Sequence, residues 1–186
     1  MMKRKHLSIR TVVAIGIGTA IVFLLKRWVS IPSGVPNTNI DTSYGFLGFA
    51  AVLFGPIAGL FMGFLGHALT DFTQYGMPWW SWVIATGFVG LGMGMLHNRL
   101  GIEDGMFTVS KMVIYNVWQV IINLIAWTLI APTGDILIYA EPANKVYLQG
   151  FISTISNSVS TGVIGTILLA SYAATRLKKG SLRKED

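Results

Sequence analysis

The chain has 186 residues, of which 53% are hydrophobic and 12% charged, with no cysteine and a formal net charge of +6. Soluble domains carry about 25% charged residues, so this composition, with a mean hydropathy of +0.60, excludes an ordinary water-soluble protein and implies an integral membrane one. The missing cysteine excludes disulfides and thiolate chemistry, and the basic residues sit at the ends of apolar segments, where they act as topology signals rather than a nucleic-acid surface.

Lys3, Arg4, Lys5 and Arg10 precede an apolar run over 11–25. The run lacks a clear small-residue cleavage site and continues into Lys26, Arg27 and Trp28, which predicts a retained first span over 8–28 rather than a removed leader. Ser8 suits its N-cap and Trp28 the membrane interface. Two small-residue pairs, Ala14 with Gly18 and Gly16 with Ala20, lie on nearly opposite faces of this helix, so backbones can approach closely on either side.

Residues 31–42 hold Pro32, Gly34, Pro36, Asn37, Asn39 and Asp41, a loop composition long enough for a lid or a binding loop. Two short apolar legs follow, 43–54 and 57–72, separated by the Gly55-Pro56 breaker. The second carries Gly59, Gly63 and Gly66 as a packing stripe, then His67 and Asp71 one helical turn apart, a pair able to satisfy itself, share a proton or hold a ligand. Tyr75, Trp79, Trp80 and Trp82 cluster at the entrance to a fourth helix over 82–97, either as an interfacial belt or as flat walls for a planar ligand.

After a hydrophilic turn, a fifth helix is expected over 108–131. Its Asn116, Gln119, Asn123 and Trp127 fall within an arc of roughly 80° at about 100° per residue. An unsatisfied amide in hydrocarbon costs on the order of a few kcal/mol, so this stripe must face other helices or a polar-lined pocket. The pair Ala131-Pro132 predicts its end, and 133–146 reads as a second long loop with Tyr139, Glu141 and Asn144. The sixth helix, over 147–175, repeats the polar pattern with Gln149, Ser153, Ser156 and Ser160, and Asn157 at the edge, which suggests that the two stripes face each other. Residues 176–186 form a charged tail.

Six spans place Lys3, Arg4, Lys5, Arg10, Arg99, Lys111, Arg176, Lys178, Lys179, Arg183 and Lys184, 11 of the 14 basic residues, on one side. Fusing the two short legs would separate the basic termini across the membrane, against the positive-inside tendency. The expected fold is therefore all-α, one membrane domain of six helices with both termini cytoplasmic and the three loop regions roofing an outward-facing pocket. No G-x-x-x-x-G-K-[ST], H-E-x-x-H or G-x-S-x-G sequence occurs, which favours a binding subunit that borrows its energy over an enzyme; the remaining enzymatic option is an intramembrane one using His67 and Asp71.

Seven stretches, in order and spacing, resemble the substrate-binding S components of energy-coupling factor (ECF) vitamin transporters: TVVAIGIG (11–18), IPSGVPNTN (31–39), FGPIAG (54–59), GHALTD (66–71), PWWSWVIA (78–85), APTGDILIYAEPANK (131–145) and GVIGTIL (162–168). The resemblance is greatest to a branch that includes a cobalamin-specific member. It implies six helices, vitamin capture from outside, and docking through small residues of helix one, here Ala14, Gly16, Gly18 and Ala20, onto a transmembrane coupling protein with two cytoplasmic ATPases. Cobalamin is then expected as cargo rather than cofactor, with riboflavin or a thiamine pyrimidine as alternatives and no metal site. Asn37, Asn39, His67, Asp71, Tyr75, Trp79, Trp82, Asn116, Gln119, Asn123, Trp127, Tyr139, Glu141, Asn144, Gln149 and Asn157 are the candidate vitamin contacts.

Overall fold

The structure is a computed structural model that describes residues 8–176. The basic tail beyond lies outside the described residues, as does the basic stretch before Ser8. Six helices form a bundle: α1 (Ile9–Trp28), α2 (Ser43–Phe54), α3 (Pro56–Tyr75), α4 (Trp80–Gly94), α5 (Val109–Tyr139) and α6 (Ala143–Ala174). Of these, α1, α5 and α6 are long and apolar enough to cross a bilayer. The 12 residues of α2 reach only about 18 Å, at 1.5 Å per residue.

Each start and stop has a local cause. The Ser8 hydroxyl accepts the Thr11 N–H at 3.1 Å and caps α1. The Asp41 carboxylate accepts the Ser43 N–H at 2.8 Å at the entrance to α2. Gly55, at φ 91°, breaks α2 from α3, and Pro56 opens the new helix where no N–H is needed. The loop after α1 carries a two-residue ribbon, β1 (Ile31–Pro32) antiparallel to β2 (Asn39–Ile40), that closes it into a compact flap.

The largest departure from expectation is in α5. Pro132 was expected to end it, yet the helix continues to Tyr139 and the connection shrinks to residues 140–142. The turn Ala126–Ile130 is widened so that the Ala131 N–H reaches back five residues to the Ala126 carbonyl. A proline ring clashes with the carbonyl four residues before it, and the widened turn absorbs that clash without ending the helix. The helix therefore carries Asp135 and Tyr139 over the outer end of the bundle, and α6 begins at Ala143 rather than 147. Likewise α3 extends to Tyr75, and α4 starts at Trp80 and stops at Gly94.

Close helix approaches rest on glycine. A Cβ at Gly59 would strike the Gly90 carbonyl and one at Gly90 the Gly59 carbonyl, so α3 and α4 meet backbone to backbone. Ala14 and Gly18 of α1 are buried, with Gly18 packed on Met62 of α3, whereas Gly16 and Ala20 face outward. At the basic end, Glu103 pairs with Arg10 at 3.5 Å and with Arg176, which puts the start of α1 and the end of α6 on the same side. Gly90→Ala is expected to cost about 1–3 kcal/mol by overpacking, read as a lowered melting temperature in detergent, while Gly16→Ala, with nothing within 4 Å of its added methyl, leaves melting unchanged.

Candidate functional site

At the end opposite Glu103 the flap and the α3–α4 and α5–α6 connections cover a cavity of about 190 Å³. Its walls are aromatic and its floor polar. Trp82 and Trp127 stack with centroids 5.8 Å apart at 21°, and Tyr44 meets Trp127 edge-on at 5.2 Å. Trp79 and Tyr75, both partly exposed, line it too, as do Gln149, Ser153 and Asn157 of α6.

Each indole is fixed by its N–H. Asp135, buried at 2% exposure, accepts Trp79 Nε1–H at 2.9 Å, Trp82 Nε1–H at 2.8 Å and the Ser81 hydroxyl. Trp127 Nε1–H donates to Asn123 Oδ1 at 2.8 Å; Asn123 Nδ2 donates to Gln119 Oε1 at 3.0 Å, and Gln119 Nε2 to the Ser158 carbonyl at 3.1 Å. Trp127 lies in the widened turn, whose carbonyl contacts Gly150 of α6, where a Cβ would not fit.

The flap is latched to the bundle at two points. Lys26, at the outer end of α1, pairs with Asp41 at 2.5 Å and lies 4.9 Å over the Tyr44 ring, while Gln149 Nε2 donates to the Pro36 carbonyl at 2.9 Å. Burial acts to raise the Asp41 carboxyl, but the Lys26 ammonium and the Ser43 N–H outweigh it and hold Asp41 below the usual carboxylate range. From Lys26 a hydrogen-bonded chain runs inward: Tyr44 hydroxyl to Thr86 Oγ1 at 3.0 Å, Thr86 Oγ1 to His67 Nδ1 at 2.6 Å, His67 Nε2 to Asp71 Oδ1 at 3.5 Å, and Asp71 Oδ2 to the Trp79 N–H at 2.9 Å. His67 and Asp71 are thus satisfied by the walls, and among the described residues no three His, Asp or Glu side chains converge as a metal site.

The structure brings Asn37, Asn39, His67, Asp71, Tyr75, Trp79, Trp82, Trp127, Glu141, Gln149 and Asn157 to this cavity. It leaves five candidates off it. Asn116 and Gln119 border a shallow groove on the outer surface between α5 and α6, with Asn116 donating to Thr166 Oγ1 at 3.0 Å. Asn123 is buried behind Trp127, Tyr139 accepts the Trp80 N–H at 3.0 Å and packs on Trp79, and Asn144 is exposed at the start of α6. Of the fifth-helix stripe, only Trp127 reaches the cavity: Asn116 and Gln119 spend hydrogen bonds on α6, and Asn123 spends its own on Gln119 and the Trp127 indole. Lys26, Asp41, Tyr44, Asp135 and Lys145 line the cavity although sequence reasoning did not place them there. In the sequence Lys26 and Lys145 read as topology signals and Asp135 lies in the expected 133–146 loop; the signal available is one acid set alone in an apolar stretch.

These features define a membrane bundle with a roofed solute cavity at one end. A family model described as ECF-type riboflavin transporter, S component, matches residues 6–174, and the chain belongs to the S-component family of ECF transporters. It is similar over its whole length to the UPF0397 proteins of Lacticaseibacillus casei (65% identity, all of both chains) and Lactobacillus gasseri (57%, all of both chains). It is 55% identical to a Staphylococcus aureus UPF0397 protein over 99% of this chain and all of that one. The protein is accordingly a multi-pass subunit of a vitamin importer in the bacterial plasma membrane, works with an ECF module, and is not an enzyme.

Breaking the latch tests the flap. Lys26→Met strands a buried carboxylate, a loss of about 3–5 kcal/mol, and is expected to speed proteolysis within 29–42 at least tenfold. Because the Asp41 pKa is depressed, the pair's contribution is complete above the unfolded carboxylate value of about 3.9 and is lost only as pH falls through the lower folded value. Flap protection should therefore hold from pH 7 to pH 5 and decay below about pH 4.

Proposed function

We propose that the protein captures a planar heteroaromatic vitamin or precursor, of the riboflavin or thiamine-pyrimidine kind, from outside the cell and delivers it through a coupling protein driven by two ATPases. The observation that carries this reading is the cavity itself: its volume and its stacked Trp82–Trp127 wall suit one flat ring system held against indole faces. A corrinoid is several times larger than a flavin and would enter only with the flap and the 140–142 connection lifted away. The riboflavin description of the matching family model agrees with the smaller cargo.

Gln149, Ser153 and Asn157 would read the ring's polar edge, with Asn37 and Asn39 closing over it from the flap. Docking falls to the outward face of α1, with Gly16 and Ala20 flanked by exposed Val13 and Ile17, while the Ala14 and Gly18 face is occupied by α3. Small residues there admit a partner helix closely.

Calorimetry on the purified protein with riboflavin, thiamine, its pyrimidine and cobalamin tests the cargo. One planar compound is expected to bind with a Kd of about 1 μM or tighter, near −8 kcal/mol, and Trp127→Ala to weaken it at least tenfold. Heat from cobalamin alone would overturn the reading. Gly16→Leu should abolish co-purification with the coupling protein and leave vitamin affinity unchanged.

A further inference from the structure

The flap has two faces of different chemistry. In an antiparallel ribbon, residues directly opposite each other point the same way, and their chain neighbours point the other. Ile31 pairs with Ile40, and Pro32 with Asn39. Asn39 lines the cavity, so Ile40 turns away from it, and Ile31 with it. The two isoleucines are 57% and 40% exposed and form an adjoining apolar pair on the outside of the roof.

What covers that pair follows from where it is held. Asp41, the residue after Ile40, is paired with Lys26 at 2.5 Å, so the return strand lies within one side chain's reach of the last turn of α1 instead of standing out in water. The other strand begins three residues after Trp28, whose side chain is 63% exposed and suits the membrane–water boundary. Towards the bilayer centre, Leu24 and Ile17 continue the exposed apolar surface of a helix long enough to span it. Arg27 holds its guanidinium 5.7 Å over the Trp28 ring and has no carboxylate in salt-bridge range among the described residues. A guanidinium at that depth matches the geometry of a phosphate.

We infer that the outer face of the flap is a lipid-binding surface: Ile31 and Ile40 lie in the headgroup boundary of the outer leaflet, with Arg27 on a phospholipid phosphate. The roof over the cavity is then held from both sides, by the Lys26–Asp41 latch within the protein and by the bilayer outside it. Lifting the flap costs apolar contact with lipid as well as the ion pair, so the membrane itself helps to keep the cavity closed.

The chain has no cysteine, so single labels can be introduced one at a time. Nitroxide-labelled Ile31→Cys and Ile40→Cys are compared with Leu24→Cys on the exposed face of α1 and with Asn144→Cys, exposed at the start of α6, in nanodiscs of phosphatidylglycerol and phosphatidylcholine. Power saturation of the spin-label signal reads accessibility to oxygen, which concentrates in lipid, against a water-soluble nickel chelate. The labels at 31 and 40 are expected to resemble the one at 24 and to favour oxygen over nickel at least threefold more than the label at 144. Arg27→Gln is expected to reduce that excess by at least half. Labels at 31 and 40 that match the one at 144 overturn the inference, and an excess unchanged in Arg27→Gln overturns the phosphate contact. All four labelled positions are exposed, so each replacement is expected to fold; if Ile40→Cys does not, its cross-strand partner Ile31→Cys decides alone.

Discussion

Hydrocarbon offers no hydrogen bonds, and every polar side chain that enters it must find a partner within the protein. Most of this molecule's design follows from that constraint. Gln119 and Asn123 form a ladder along α5 that ends on the Trp127 indole, and Asn116 bonds separately to Thr166, so amides that could have met a solute instead join α5 to α6 and set one ring. The same logic governs Asp135, whose three donors include the indoles of Trp79 and Trp82. Aromatic and polar side chains share the cavity lining, and the indole N–H groups are held by Asp135 and Asn123.

That arrangement divides the bundle into two ends with different work. The basic end is tied by Glu103 to Arg10 and Arg176, and the glycine contact between α3 and α4 makes a rigid middle. The outer end is built from parts that can separate: a flap on a two-residue ribbon, held by Lys26–Asp41 and by one amide to a carbonyl. Lys26 belongs to α1, the helix on which Gly16 and Ala20 are exposed. The flap latch and the exposed face of Gly16 and Ala20 thus share one element.

The widened turn in α5 links fold and site. It admits Pro132 into a continuous helix, brings the Trp127 carbonyl against Gly150, and projects Asp135 over α4. Wide turns of this kind are found often at functional sites. Here the reason is geometric: a regular helix with a proline at this position would kink or stop before Asp135.

Local chemistry determined the membrane class, the six helices, the break at Gly55-Pro56 and the side on which the basic residues lie, because hydropathy, proline and charge act on the chain wherever it is placed. It also brought forward the tryptophan cluster, His67, Asp71 and Gln149, whose residue types are costly in lipid. Tertiary structure alone decided which of those groups meet. Whether an amide at 119 or 123 faces a solute or a neighbouring helix depends on the rotation of α5 against α6, which periodicity does not specify. Whether Pro132 ends a helix depends on packing able to stabilise a wide turn. Lys26, Asp41 and Asp135 lie 15 and 94 positions apart along the chain, and only the folding of flap and helices around one cavity makes them a single electrostatic environment.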